Sequence, residues 1–286
     1  MTKIENVSVI VPTLNSEEYI GILLETLVEH FSEVIVGIDS KTSDSTLNIV
    51  KMFPVKSVIV PNNLGRTAEH GMIEFITKEC TNEWILRLDD DESISNQLIE
   101  FLRLQLSDIT ECCVGFHRKW CRVNQSHLEW MALPDFGFDW QWRLFRRNEV
   151  TYIMDIHTPG YSFESSICAP IEACILHLDW IFHTYEERLK KIKKYDTVRP
   201  DSGRLLWHYY LYEDIMNYNY YFVKTWEASI PKTLKDRIAT FFPAEQKKPV
   251  NINAARYINA HGNRRSCLTK IIQITRSYFL GIIFRG

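Results

Sequence analysis

The chain has 286 residues, 45% of them hydrophobic, which suffices for a large core and excludes a disordered protein. A formal net charge of -3 excludes the global basic field of a general nucleic-acid binder and points to a small or local partner. The seven cysteines are odd in number and form no CxxC pair, so a secreted disulfide framework and a zinc ribbon are both excluded and reduced, mostly buried thiols are expected.

From Met1 the chain moves almost directly into a strand, without the apolar stretch and cleavage site of a signal peptide, and the cytoplasm is the expected compartment. Four short, nearly continuous apolar runs follow: "VSVIVP" (7–12), "EVIVGID" (33–39), "KSVIVP" (56–61) and "EWILRLD" (83–89). Their texture is that of parallel strands buried on both faces. Between them, "SEEYIGILLETLVEHF" (16–31), "SDSTLNIVKMF" (43–53) and "RTAEHGMIEFITKEC" (66–80) read as helices, the first with Ser16 as its N-cap. Strand alternating with helix predicts an α/β fold with a mostly parallel, Rossmann-like sheet, whose ligands bind at the carboxyl ends of the strands.

The fourth strand ends in Asp89, Asp90 and Asp91, with Glu92 following. Two unit charges about 4 Å apart repel by roughly 4 kcal/mol at an effective dielectric near 20, so this run needs positive charge or open water. The other strand ends carry "PTLNSEE", "DSKTSDST" and "PNNLGRTAEHG". Neither GxGxxG nor GxxxxGK[ST] occurs, which disfavours a dinucleotide dehydrogenase or a P-loop enzyme. A divalent cation held by carboxylates is another way to neutralise phosphates.

In their order, "VSVIVPTLNSEEYI", "VIVGIDSKTSDST", "NNLGRTAEHG" and "WILRLDDDE" resemble the nucleotide-sugar half of family-two glycosyltransferases with the GT-A fold, over roughly residues 5–105. The resemblance makes Asp89, Asp90 and Asp91 the DxD motif, with Asp91 the direct metal ligand and Asp89 turned toward the ribose or the metal. It implies that Asp39 recognises the nucleobase edge, that Pro12, Thr13 and Asn15 line the base pocket, and that Arg66 lies near the base or diphosphate. The implied cofactor is manganese or magnesium, and the implied donor a nucleoside-diphosphate sugar, with a UDP-sugar favoured. Bland readings stay open: Asp39 or its neighbours Ser43 and Asp44 as helix caps, and Arg66 as a solvated first-turn residue.

Beyond residue 106 the strand-like segments "ECCVGFHRKWCRV", "HLEWMAL", "WQWRLFRR", "VTYIMDI" and "IEACILHL" suggest antiparallel elements extending the sheet. "PDFGFDWQWRLFRR" resembles the lipopolysaccharide-core-type branch, in which an acid stands shortly before an RLFRR-like strand. That acid is Asp139, with Asp135 its neighbour, and they are the candidates for the general base that deprotonates an acceptor hydroxyl. Strict alternation sets Asp139, Gln141, Arg143 and Phe145 on one face and Trp140, Trp142 and Leu144 on the other. The alternative for Asp139 is a pairing with Arg143 or a turn cap. In "DIHTPGY", His157 is a candidate near the metal or diphosphate, although Thr158 stands where related sequences often carry Glu; a buried strand histidine is the other reading. His177 and His183 read as structural.

The expected division is a nucleotide-sugar half (1–105), an acceptor half (106–184) and a C-terminal helical extension (185–286). The aromatic-rich stretch after residue 203 shows no function of its own. The tail 268–286 is too short in uncharged apolar residues to span a bilayer, and two uses are open: contact with a membrane surface, or docking on its own domain or on a second subunit of a homodimer. The functional expectation is a metal-dependent, inverting glycosyltransferase with a glycan or glycolipid acceptor, in glycan, lipopolysaccharide or capsule assembly. The competing readings are a catalytically silent nucleotide-binding or scaffold protein and a sugar-nucleotide pyrophosphorylase, although the latter's Gly-rich, Lys-bearing loop is absent from "VPTLNSEE".

Overall fold

The computed structural model describes residues 2–61, 68–124, 127–132, 139–153, 159–198, 211, 221–224 and 230–240. Strand β1 (Ile4–Thr13) leads through helix α1 (Ile20–His30), β2 (Phe31–Asp39), α2 (Thr46–Val50), β3 (Lys56–Val60) and α3 (Ala68–Thr77) to β4 (Trp84–Arg87). These four strands run parallel in the order β3-β2-β1-β4, in a register that sets Val11 beside Val36 and Val9 beside Leu86. The α/β class expected from the alternation is the one observed. Both faces are covered, as the apolar runs require. Val9, Val11, Val36 and Leu86 pack with Leu24 and Leu27 of α1, while Ile10, Ile35 and Ile85 pack with Ile73 and Ile76 of α3. Each such fully buried side chain contributes about 1.5–3 kcal/mol of transfer free energy.

The second half continues the same sheet with β5 (Glu92–Ile94), α4 (Asn96–Leu104), β6 (Cys113–Asn124), β7 (His127–Ala132) and β8 (Trp140–Arg146). It goes on through the antiparallel pair β9 (Val150–Tyr152) and β10 (Tyr161–Phe163) to β11 (Ser166–Cys168), β12 (Cys174–His177) and the single-turn helix α5 (Asp179–Phe182). Strand β8 is antiparallel to β4 and to β6, and β7 is antiparallel to β6, as expected. Strand β12 departs from that expectation by running parallel to β6, as does β11, a strand outside the expected segments. Twelve residues of β6 offer one edge long enough for both in succession. The departure matters because β12 also pairs antiparallel with β5, which sets His177 opposite Glu92.

Strict alternation along β8 fails at one residue. Gly115 of β6 faces Trp142 while Val114 faces Leu144, so Arg143 is the extra residue of a bulge. Trp142 lies flat over Gly115, where an added Cβ would sit 2.9 Å from its ring. The bulge sends Trp142 and Phe145 into one core cluster and Leu144 into the other, and re-aims Arg143.

Two compact units divide the chain. The first comprises Met1–Trp130, Asp139–His183 and Lys224–Phe242, and includes a helix α7 (Lys232–Thr240) from within the expected extension. Leu234 of α7 is buried with Tyr19, Ile22 and Phe182, and Arg237 reaches Glu25 of α1 at 2.8 Å. The second unit comprises Met131–Phe138, Thr184–Val223 and Pro243–Gly286. Its helix α6 (Tyr185–Val198) opens with a capping box: Thr184 and Glu187 exchange side-chain and backbone hydrogen bonds. No helix among the described residues is long and apolar enough to cross a membrane, and the tail 268–286 lies outside them. The six cysteines described are free thiols, and all but Cys168 are buried.

Gly37 of β2 is required by packing. A Cβ there would come 2.1 Å from Cδ1 of Ile76 and 3.2 Å from Cγ2 of Val60, so α3 seats directly on this bare backbone. Gly37→Val is expected to destabilise the fold by about 1–3 kcal/mol through overpacking, read as a lowered midpoint in chemical denaturation. An unchanged midpoint would show that α3 does not seat there.

Candidate active site

The carboxyl ends of β1, β2 and β4 lie side by side at one end of the sheet, and hydrogen bonds tie together the loops that follow β1 and β2. Asn15, just after β1, holds a left-handed φ of 54°, a conformation Asn tolerates better than most residues. Its Oδ1 accepts the N–H of Ser43 at 2.8 Å from the loop after β2. Three further bonds join the same loops: Ser16 N–H to Thr46 Oγ1, Glu17 N–H to Asp44 Oδ2, and Ser45 N–H to Glu17 Oε2. Asp39, buried at the end of β2, accepts the N–H of Lys41 at 2.8 Å, and Asp44 caps the N–H of Thr46. Ser16 was expected to cap α1, but its hydroxyl is drawn to Asp90 instead, and the N-cap position falls to Tyr19, whose side chain makes no capping bond. Pro12 and Thr13 are the last residues of β1, and Thr13 donates to Asp90 at 2.8 Å.

The charge problem posed by the acidic run is solved mainly by arginines. Asp89 accepts from Arg87 at 2.9 Å and from Arg143 at 2.5 Å. Burial pushes its carboxyl up, but Arg143, Arg87 and Arg118 overcome this and hold it well below the usual carboxylate range. Glu92, with no side-chain exposure, accepts from Arg143 at 2.8 Å, from Arg118 at 3.4 Å and from the Asp89 N–H at 3.0 Å. Arg87 also donates to the carbonyl of Pro159 at 2.8 Å. Asp90 is satisfied by the hydroxyls of Thr13 and Ser16.

Asp91 has different company. It is buried, with His177 Nε2 3.5 Å from Oδ1, and ligand atoms of Asp91, Asp179 and His183 all lie within 4.8 Å of one another. Asp179 is fully buried and lies 3.0 Å from His183 Nδ1. His183 Nε2 is 3.2 Å from the hydroxyl of Tyr19. Two buried carboxylates with an imidazole are costly as a bare group and well matched to a divalent cation that accepts oxygen and nitrogen donors. His183 thus belongs to this group, although its sequence context reads as structural. The available signal was the spacing "DWIFH", which puts Asp179 and His183 on one face of a helical turn.

Asp139 stands at the entrance to β8. Arg143 is engaged elsewhere, so the pairing open to Asp139 on that side is not made. Its Oδ2 accepts from Arg118 Nε at 2.9 Å and from Trp120 Nε1 at 3.0 Å, and its Oδ1 accepts from Gln141 at 2.7 Å. Burial raises its pKa, and Arg118 with the other donors outweighs this to leave it lowered, so the carboxylate stays ionised at neutral pH. Arg118 ties Asp139 to Glu92, and thereby joins the acceptor side to the acidic run. Arg66, Asp135 and His157 lie outside the described residues.

The sequence profile described as Glycosyl transferase family 2 matches residues 8–165. An uncharacterized glycosyltransferase of Rickettsia typhi is 31% identical over 94 residues, 33% of this chain and 30% of that protein. The match thus spans about a third of that relative's own length. Among solved structures, S. aureus TarS 1-349 in complex with UDP-GlcNAc aligns with a TM-score of 0.43 and 17% identity, over 72% of this chain and 71% of that one. Glucosyl-3-phosphoglycerate synthase from Mycobacterium tuberculosis, in complex with Mn2+, UDP and phosphoglyceric acid, aligns with a TM-score of 0.31 and 19% identity, over 43% of this chain and 45% of that one.

Arg143 is the centre of the ion network, with only 4% of its side chain exposed. Arg143→Ala leaves Asp89 and Glu92 without their main counter-charge and is expected to cost about 3–5 kcal/mol in chemical denaturation. A loss below about 1 kcal/mol would mean that water, not Arg143, neutralises the pair.

Proposed function

The chain belongs to glycosyl transferase family 2, and from that premise we propose that it moves a sugar from a nucleoside-diphosphate sugar, a UDP-sugar favoured, to an acceptor hydroxyl with inversion. The observation that carries this reading is the convergence at one sheet end of Asp39, the Asp89–Glu92 run and the Asp91, Asp179 and His183 group, with Arg118 linking them to Asp139.

In this reading Asp39 reads the edge of the nucleobase, and Pro12, Thr13 and Asn15 line the pocket whose loops are already bonded together. Asp91, Asp179 and His183 would hold manganese or magnesium, which when bound offsets charge on the departing diphosphate. Asp89 and Asp90, both engaged by the protein, brace the donor side and keep Asp91 in place. Asp139 is the proposed base. It takes the proton of the acceptor hydroxyl as that oxygen bonds to the anomeric carbon, and the bond from that carbon to the diphosphate breaks with its electron pair leaving on the nucleoside diphosphate. Attack from the face opposite the leaving group inverts the centre. The proposed division remains a nucleotide half over 1–105, an acceptor half over 106–184 and an extension over 185–286. A glycan or glycolipid acceptor, with cytoplasmic action in glycan, lipopolysaccharide or capsule assembly, completes the proposal.

Two substitutions test the two sides separately. Asp91→Asn should weaken UDP binding in the presence of manganese by tenfold or more and leave metal-free binding nearly unchanged, as measured by titration calorimetry. Equal losses in both conditions would rule out Asp91 as a metal ligand. Asp139→Asn should preserve UDP affinity and lower the rate of UDP release from a UDP-sugar by about 100-fold or more. Near-normal turnover would remove Asp139 from the reaction and pass the role to Asp135.

A further inference from the structure

The mechanism above leaves Trp120 unused, yet this buried residue touches both halves of the site. Its indole Nε1–H donates to Asp139 Oδ2 at 3.0 Å. Its ring meets His177 edge-on, with centroids 4.0 Å apart and an interplanar angle of 66°. His177 in turn presents Nε2 to Asp91 at 3.5 Å. A second tryptophan, Trp180, packs on Trp120 at 5.4 Å. Trp120 therefore sits between the carboxylate proposed as metal ligand and the carboxylate proposed as base, in contact with one through an imidazole and with the other directly.

We propose that Trp120 is a positioning residue that sets the Asp139 carboxylate relative to Asp91 and presents Oδ1 as the oxygen that receives the acceptor's proton. The proposal rests on the reading of Asp139 as the base. An ionised carboxylate has about four acceptor sites, two on each oxygen. Arg118 and Trp120 fill those of Oδ2, and Gln141 fills one on Oδ1, so a proton can arrive only at the remaining site of Oδ1. Arg118 and Gln141 reach the group on flexible stems, whereas the indole donor is fixed to a rigid ring in contact with His177 and Trp180, which adds the stiffest of the three restraints on rotation about Cβ–Cγ. A base held in one orientation keeps its share of the rate that a turning one loses to misplacement.

The test combines spectroscopy with a double-mutant cycle on the full chain. The indole N–H resonance of Trp120, assigned by its disappearance in Trp120→Phe, is expected to move in Asp139→Asn, because the acceptor changes from a carboxylate to a neutral amide. An unmoved resonance overturns the proposal. Trp120→Phe, which keeps a ring against His177, is expected to slow UDP release from a UDP-sugar by about tenfold with little change in the donor KM. In the Asp139→Asn background the same substitution is expected to have almost no further effect. Additive effects, or a Trp120→Phe loss confined to KM, also overturn it. Should Trp120→Phe fail to fold, the indole shift in Asp139→Asn, assigned through conventional backbone connectivity, still decides. The base reading fails separately: Asp139→Asn would then release UDP at the normal rate while the indole resonance still moved.

Discussion

Four acidic side chains in succession stand at the end of a buried strand, and arginines from three different strands converge on the first and the last of them, Asp89 and Glu92. Arg87 comes from β4 itself, Arg118 from β6 and Arg143 from β8. Each is paired with carboxylates, and at an effective dielectric near 20 each close pair offsets roughly 4 kcal/mol of repulsion. Such a network has a demanding geometry, because removing a partner leaves a buried charge exposed to its like neighbours. The bulge at Arg143 is part of that geometry. In a regular strand Arg143 would share the alternation of Phe145, which is committed to the core, and the extra residue lets both side chains reach their places.

The arginines discharge Asp89 and Glu92, the hydroxyls of Thr13 and Ser16 discharge Asp90, and Asp91 is left in a separate environment. There the neighbours are His177, Asp179 and His183, delivered by β12 and α5. The division of labour follows from the parallel pairing of β12 with β6 and its antiparallel pairing with β5, which bring the end of β12 beside Glu92 and the Asp91 that precedes it. One short run of sequence thus serves two purposes, a structural ion cluster and a candidate ligand site, and neighbouring carboxylates are kept apart by what faces them.

The nucleotide side shows a different economy. The loops after β1 and β2 exchange four hydrogen bonds, two of them reciprocal between Glu17 and the Asp44–Ser45 pair, so each loop fixes the course of the other. Preorganisation of this kind lowers the ordering cost of binding. Asn15 makes it possible by adopting the left-handed backbone that turns its carboxamide toward Ser43.

The sequence by itself determined the parallel half of the sheet, because strands buried on both faces must be continuously apolar and their polar ends must gather on one side. It also marked Asp89 and Asp91 by their place at a strand end, and the resemblance to family-two glycosyltransferases marked Asp39 and Asp139. Only the tertiary structure decided what each acid faces. Arg143 is four residues from Asp139 in the chain but meets Asp89, 54 residues away, and no local period encodes that meeting. The parallel course of β12, the bulge in β8 and the gathering of Asp179 and His183 beside Asp91 were hidden for the same reason. Pairing between distant strands and one-residue shifts of register are set by packing across the whole sheet, and alternation along a single strand carries no record of them.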